Sequence, residues 1–197
     1  MKKTAMFLAV MVTLTACKKD ESGEYATSDT TAAATTLPVD TTAAAPATIS
    51  DPQIAAIVVA ANDVDIKAGE QAKTTATDAK VKDFANRMIT DHTAVNKQAT
   101  DLVTKLNVSP EENPTSQALR QAGEQSLSDL QGKTGAAYDK AYIDHEVDYH
   151  QQVIDAVQQQ LIPNARNAEL KALLEQTLPA LQAHLDMAKQ IQAQLPS

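Results

Sequence analysis

The sequence has 197 residues, a formal net charge of −8 at pH 7, 3% aromatic residues, no Trp and one Cys. The scarcity of aromatic residues disfavours β-sheets and favours helices, and the negative charge argues against binding to nucleic acid, which needs clustered Lys and Arg to neutralise phosphates. A single Cys excludes a disulfide framework within the chain and a Cys-rich zinc site.

The first residues are typical of a secretory signal peptide. Two lysines provide the positive charge, and an uncharged, mainly apolar stretch follows. This stretch ends in Leu14-Thr15-Ala16-Cys17, which resembles the bacterial lipobox, where the Cys is lipidated and becomes the new N-terminus. We therefore expect residues 1–16 to be a lipoprotein signal peptide and Cys17 to be the lipidation site. The alternative is a small apolar Cys that follows an apolar run by chance.

The segment after Cys17 predicts an anchored location. Resemblance to bacterial lipoproteins implies three acyl chains on Cys17, which would anchor firmly where a single chain gives only marginal binding. Lys18, rather than Asp, follows the Cys, and the same resemblance implies sorting to the outer membrane, facing the periplasm or the cell surface. Residues 17–50 are rich in Ala and Thr and have no apolar periodicity, which predicts a disordered tether before a domain at residues 51–197.

The domain begins with two segments of helical period. Asp51 is predicted to cap the first helix, with Pro52 as its first residue, and this helix runs to about Thr75. Asp78 is predicted to cap the second helix. Its apolar stripe continues to Leu106 with steps of three and four residues, the spacing of a buried bundle face.

Three further helices follow a proline-containing break. A short helix is expected at about residues 115–130, and a long one from about Gly135 to Ile162, where Pro163 stops it. Asn167 is predicted to cap the last helix, which Pro179 should kink. Four long helices can bury their stripes only against one another. The sequence therefore predicts an all-α, ferritin-like four-helix bundle with a short extra helix in the crossover between the helix pairs.

Three of the four histidines lie on apolar stripes of this bundle, together with two acidic residues. Helical rise places the five within about 8 Å of one another in height, and imidazoles and carboxylates at mid-bundle are how such folds bind metals. The candidate ligands of one transition metal (Zn, Cu, Ni or Fe) are Asp65, His92, Glu146, His150 and His184. A di-iron site is not expected, because the spacing is Glu-x-x-x-His and carboxylates are too few. The alternative is a hydrogen-bonded polar core layer.

Several strings resemble an uncharacterised bacterial family, the domain of unknown function 4142. They are Val81-Lys82-Asp83-Phe84-Ala85-Asn86-Arg87-Met88-Ile89-Thr90-Asp91-His92, then Tyr138-Asp139-Lys140-Ala141-Tyr142-Ile143 leading to His150, and Leu178-Pro179 leading to His184-Leu185. The resemblance covers about residues 52–195 and implies a ferritin-like bundle in an exported protein. It also implies that Asp91, His92, His150 and His184 are characteristic polar residues of the family. Asp65 stands where the family usually has Glu.

The sequence contains no glycine-rich phosphate loop and no Ser-centred nucleophile elbow, and no residue is predicted to be catalytic. We expect a membrane-anchored lipoprotein with a non-enzymatic binding or envelope-maintenance role and one transition metal as its candidate ligand. Two alternatives stay open. One is a metal-dependent redox enzyme of the periplasm. The other is a purely structural module that binds a protein partner, which the sequence does not identify, and whose polar layer only fixes the register of its helices.

Overall fold

A computed structural model describes residues 48–196; the predicted signal peptide, Cys17 and most of the predicted tether lie outside these residues. The described chain forms five main helices and, within residues 48–196, no strand. The helices are α1 (Asp51–Thr75), α2 (Ala79–Lys105), α3 (Pro114–Leu130), α4 (Gly135–Ala156) and α5 (Ala168–Gln192). None of the described helices combines the length and the apolar character needed to cross a lipid bilayer.

The long helices pack as two hairpins, α1 with α2 and α4 with α5, and α3 lies against α1 in the connection between them. This confirms the predicted all-α four-helix bundle with a short extra helix in the crossover. Gly123 allows α3 to lie close to α1, because a Cβ at this position would be 2.5 Å from Val64 Cγ2. The β-branched Val64 has little freedom to move aside, so the close packing depends on this glycine.

Two aspartates at helix starts tie the hairpins together. Ser50, not the predicted Asp51, is the N-cap of α1, in a capping box with Gln53. The Asp51 carboxylate instead accepts hydrogen bonds from the backbone N–H groups of Arg166 and Asn167, each at 2.9 Å, in the turn between α4 and α5. In a reciprocal contact, Asp139 near the start of α4 accepts from the backbone N–H groups of residues 77 and 78, between α1 and α2.

The C-terminal end of α4 differs from the predicted uninterrupted helix. After Ala156 the chain forms a π-helix at Val157–Leu161 and a last helical turn at Ile162–Asn164. Pro163 therefore lies inside this last turn rather than stopping the helix before it. Proline lacks the N–H that would bond to the preceding turn, and the helix ends one residue after it, at Asn164. The wider π turn rotates the residues that follow relative to a regular helix.

The apolar core is divided into two clusters. One contains Phe84, Met88 and Tyr142, and the other contains Ile57, Ile154 and Leu174. On α1, α2 and α4, a layer of buried polar side chains lies between the two clusters in sequence, and His184 of α5 joins the same layer. The predicted caps Asp78 and Asn167 are confirmed, and α5 remains helical through Pro179.

Candidate metal centre

The structure brings the five predicted ligands together in the polar layer. α1 contributes Asp65, α2 contributes His92, α4 contributes Glu146 and His150, and α5 contributes His184. All five are buried, and none exposes more than 3% of its surface. Each lies on the apolar stripe of its helix, so bundle packing alone turns these polar groups inward.

The three imidazole rings face one another. Ring centroids are 5.3 Å apart for His92 and His184, 5.4 Å for His150 and His184, and 5.7 Å for His92 and His150. One nitrogen from each ring can be chosen so that the three nitrogens lie within 4.8 Å of one another. Three helices therefore direct imidazole nitrogens at a common point.

Each ring has one nitrogen held by an oxygen. His92 Nδ1 lies 2.7 Å from Asn62 Oδ1, and His184 Nε2 lies 2.8 Å from Asp91 Oδ2. His150 Nδ1 lies 2.9 Å from the carbonyl oxygen of Glu146. Because an oxygen acceptor requires the facing ring nitrogen to donate its proton, the other nitrogen of a neutral ring carries a free lone pair.

The opposite ring nitrogens have no hydrogen-bond partner. They are His92 Nε2, His150 Nε2 and His184 Nδ1, all of them buried. A histidine that donates one N–H to an oxygen and directs its second nitrogen inward has the arrangement of a metal ligand, whose ring orientation is fixed by that outer hydrogen bond.

Two carboxylates adjoin the imidazoles. Asp65 Oδ2 is 3.5 Å from His92 Nε2, and Glu146 Oε2 is 3.3 Å from His150 Nδ1. Ligand atoms of Asp65, Glu146 and His150 also lie within 4.8 Å of one another, so His150 belongs to both groups. The 3.5 Å contact is too long for a strong hydrogen bond, which leaves the His92 nitrogen available.

Unpartnered polar atoms are concentrated in this layer. Besides the three ring nitrogens, they include Asp65 Oδ1, both carboxylate oxygens of Glu146 and the hydroxyl of Tyr142. Leaving a buried polar group unpaired costs about 1–3 kcal/mol, and native structures contain few such groups. A polar layer that served only for packing would pair these atoms, whereas a cation would satisfy several of them at once.

Burial and neighbouring charges set the protonation of the cluster. Burial lowers the pKa of His92, and the neighbouring His150 and His184 lower it further. Burial also lowers the pKa of His184, although the hydrogen bond to Asp91 opposes this shift. Both rings are therefore neutral at pH 7 and able to bind a metal.

The pKa of His150 shifts in the opposite direction from those of His92 and His184. Burial acts to lower its pKa, but the Asp65 and Glu146 carboxylates outweigh burial and raise the pKa to about 9. Burial likewise raises the pKa of Asp65, so Asp65 and His150 compete for one proton. A metal ion that bound His150 Nε2 would displace this proton.

Two side chains outside the five candidate ligands accept hydrogen bonds from the histidine rings, and the sequence had indicated one of them. Asp91, singled out through the family resemblance, holds His184. Asn62 was not predicted, although its position one turn before Asp65 puts a polar side chain on the buried face of α1. Its amide orientation is set by the hydrogen bond from Nδ2 to the Val58 carbonyl, at 2.9 Å, which directs Oδ1 to His92.

The fourth histidine lies outside the cluster. His145 is half-buried, stacks on Tyr149 and has its Nδ1 3.1 Å from Ser126 Oγ. Its place on a different face of α4 agrees with the sequence pattern, which put it off the apolar stripe.

A cavity of about 240 Å³ opens onto three residues of the cluster, Asp65, His92 and His184. Its walls come mainly from aliphatic side chains of α1, α4 and α5, and the π-helix at Val157–Leu161 contributes both of its terminal residues. The cavity was not predicted from the sequence. It extends from the polar layer into the half of the bundle in which α1 begins.

The comparisons with known proteins concern the fold and the family. The solved structure of CopM in the Cu(II)-bound form is similar to this chain with a TM-score of 0.57 and 15% sequence identity, over 74% of this chain and 97% of that one. At this identity the likeness shows a common helical fold. No curated protein matches the sequence. The family model described as "Domain of unknown function (DUF4142)" matches residues 36–191, and the chain therefore belongs to this family.

Proposed function

We propose that this protein binds one transition metal ion through His92, His150 and His184, with the Asp65 and Glu146 carboxylates beside them, and that its role is non-enzymatic. The observation that carries the proposal is the convergence of three buried ring nitrogens without hydrogen-bond partners, each on a ring whose other nitrogen is held by an oxygen. Such outer hydrogen bonds orient metal-ligating histidines.

Copper is the ion that we favour. Imidazole nitrogens suit Zn, Cu, Ni and Fe, and among divalent ions a site of nitrogen and oxygen ligands binds Cu(II) most tightly. The solved protein of similar fold is described as CopM in its Cu(II)-bound form, which makes copper the first ion to test. The donor set, rather than that likeness, is the basis of the choice.

Metal uptake tests the proposal directly. We expect the protein, purified without a His-tag and stripped with a chelator, to take up one ion per chain from Cu(II), Zn(II), Ni(II) or Fe(II), with Cu(II) bound most tightly. Elemental mass spectrometry gives the stoichiometry, and titration against a chelator of known affinity gives the order. Failure to retain any of the four ions would leave a polar core layer as the explanation and overturn the proposal.

We further propose that the protein acts at the bacterial outer membrane as a lipoprotein anchored through Cys17. The support is the Leu14-Thr15-Ala16-Cys17 string, which places the chain's one Cys at the lipidation position. Acyl chains contribute about 0.8 kcal/mol per buried CH₂, whereas a protein with a net charge of −8 is repelled by anionic lipid.

Cys17→Ser is accordingly expected to release the protein from the membrane fraction and to leave a precursor that retains residues 1–16. Fractionation and intact-mass spectrometry check both results, and Ser22→Ala, a matched substitution in the predicted tether, should leave anchoring unchanged. A Cys17→Ser protein of mature mass in the membrane fraction would contradict the anchor.

A second candidate function is metal-dependent redox chemistry with oxygen or peroxide. The cavity favours it, because it gives a small molecule a route to Asp65, His92 and His184. This function predicts that the copper-loaded protein consumes oxygen or peroxide faster than the same amount of free copper does. Equal rates would leave the binding role.

A further inference from the structure

The cavity that ends at the histidine cluster has the character of a ligand site. Its aliphatic walls include Ile57 and Val58 of α1, Val157 of the π-helix, and Leu174 and Leu181 of α5. These side chains are buried, yet they leave a space of about 240 Å³. Protein cores normally leave no space of this size, and a cavity with mainly apolar walls favours apolar ligands.

Two irregular helix segments border this space. The π-helix at Val157–Leu161 lies along one wall, and α5 passes Pro179 between the lining residues Thr177 and Ala180 on another. Single π turns within helices occur frequently at functional sites, and Pro179 removes one backbone hydrogen bond from α5. Both features act against the close packing that would otherwise fill the cavity.

The polar end of the cavity, at the histidine cluster, limits the charge that a ligand can carry. Asp65, buried to 1% exposure, and Asp91 both line the cavity beside His92 and His184. An anionic head group would lose its hydration and meet carboxylates of the same sign. An uncharged group such as a hydroxyl or an amine could approach the imidazoles without this cost. It could donate a hydrogen bond to a free ring nitrogen or a lone pair to a metal bound there.

The volume of the cavity limits the size of the ligand. An apolar cavity of about 150 Å³ accommodates benzene, and by proportion about 240 Å³ accommodates about ten non-hydrogen atoms. Three of the lining residues, Thr115, Gln152 and Ala180, are exposed and mark the open edge of the cavity.

We propose that this cavity binds an uncharged, mainly aliphatic molecule of about ten non-hydrogen atoms, with one oxygen or nitrogen donor directed at His92 and His184. This inference deepens the proposed function, because the donor would meet the metal at the same histidines. Occupation of the aliphatic part does not depend on the metal, so the two proposals can fail separately.

Calorimetric titration of the metal-free and the metal-loaded protein with 1-octanol and with octanoate tests the inference. The two probes share an aliphatic chain and differ in the charge of the head group. We expect 1-octanol to bind both forms, and to bind the metal-free protein at least tenfold more tightly than octanoate does. Octanoate binding to the metal-free protein as tight as that of 1-octanol, or no 1-octanol binding to either form, would overturn the inference.

Ala156→Leu adds three carbon atoms to the cavity wall, and Ala137→Leu adds the same atoms to an exposed position on the same helix. We expect Ala156→Leu to weaken 1-octanol binding at least tenfold and Ala137→Leu to change it less than twofold. Ala180→Leu, at the exposed edge, provides a second blocking variant if Ala156→Leu does not fold. Wild-type 1-octanol affinity in the folded blocking variants would place the probe elsewhere and overturn the inference.

Metal titration of the same variants separates the two proposals. Ala156→Leu should take up metal as the wild type does, because it changes none of the candidate ligands and none of the residues that hydrogen-bond to their rings. A protein that binds 1-octanol but no metal would refute the metal centre alone. A protein that binds metal but not 1-octanol would refute the cavity ligand alone.

Discussion

Replacing His92 or His184 with Ala is expected to weaken metal binding by at least about 100-fold. Each substitution removes one of three converging imidazoles, and even the loss of an outer hydrogen-bond partner typically costs 10- to 100-fold in affinity. Competition titration with a chelator measures the loss, and elemental mass spectrometry shows whether any ion is retained.

The chain provides a matched control and an intermediate case. His145→Ala removes the histidine that faces Ser126 rather than the cluster and should leave affinity unchanged. Asn62→Ala removes only the oxygen that orients His92 and should weaken binding by about 10- to 100-fold. If His92→Ala and His184→Ala, both shown to be folded by circular dichroism, bind metal as the wild type does, these residues are not the ligands.

The metal-free protein is expected to lose stability as the pH rises from 6.5 to about 9. In the unfolded chain His150 titrates near its ordinary pKa of 6.5, whereas in the folded protein Asp65 and Glu146 overcome burial and raise the pKa to about 9. Between these values the folded state holds a proton that the unfolded state has released. Stability must then fall with rising pH.

The neighbouring groups do not reverse this trend. His92 and His184 oppose the trend near pH 6.5, because the unfolded chain still holds about half a proton on each whereas burial lowers their pKa values in the folded protein. Above about pH 7.5 both are neutral in both states and contribute nothing. Asp65, whose pKa burial raises, competes with His150 for the same proton and is not a separate contribution. A shift of this size corresponds to about 3 kcal/mol, or about 6–12 °C in melting temperature for a domain of this length.

Thermal unfolding in the presence of a chelator at pH 6.5 and pH 9 measures the effect, and His150→Gln should remove most of it. Stability that is constant or rises over this interval would contradict the assigned protonation. The metal complex should show the opposite trend, because protons compete with the metal for the imidazole nitrogens and binding tightens as the pH rises.

Periodicity and caps were sufficient to predict the bundle. The regular three- and four-residue steps of the second helix, together with Asp78 and Asn167 as caps, placed the helices and their pairing. The same steps placed His92, His150 and His184 on buried faces, and helical rise placed them at one height. Their role as ligands stays a prediction until metal uptake is measured.

The features that were not predicted depend on contacts between helices. Ser50 and Asp51 are both suitable N-caps, and the tertiary bonds of Asp51 to the turn before α5 decide between them. The π-helix and the cavity beside it have no local sequence signature, since they reflect how α4 packs against α1 and α5. Asn62 was overlooked because a single amide on a buried face is uninformative without its partner.

The reciprocal aspartate contacts have a consequence for positional accuracy. Asp51 and Asp139 hold opposite ends of α1, about 38 Å apart, to the other hairpin. If one hairpin slid along the other by a single residue, its side chains would move by about 1.5 Å, and both sets of bonds would break together. Metal–ligand distances tolerate only about 0.2 Å. The two end contacts therefore fix the register of the two hairpins, and with it the positions of His184 and His150 relative to His92.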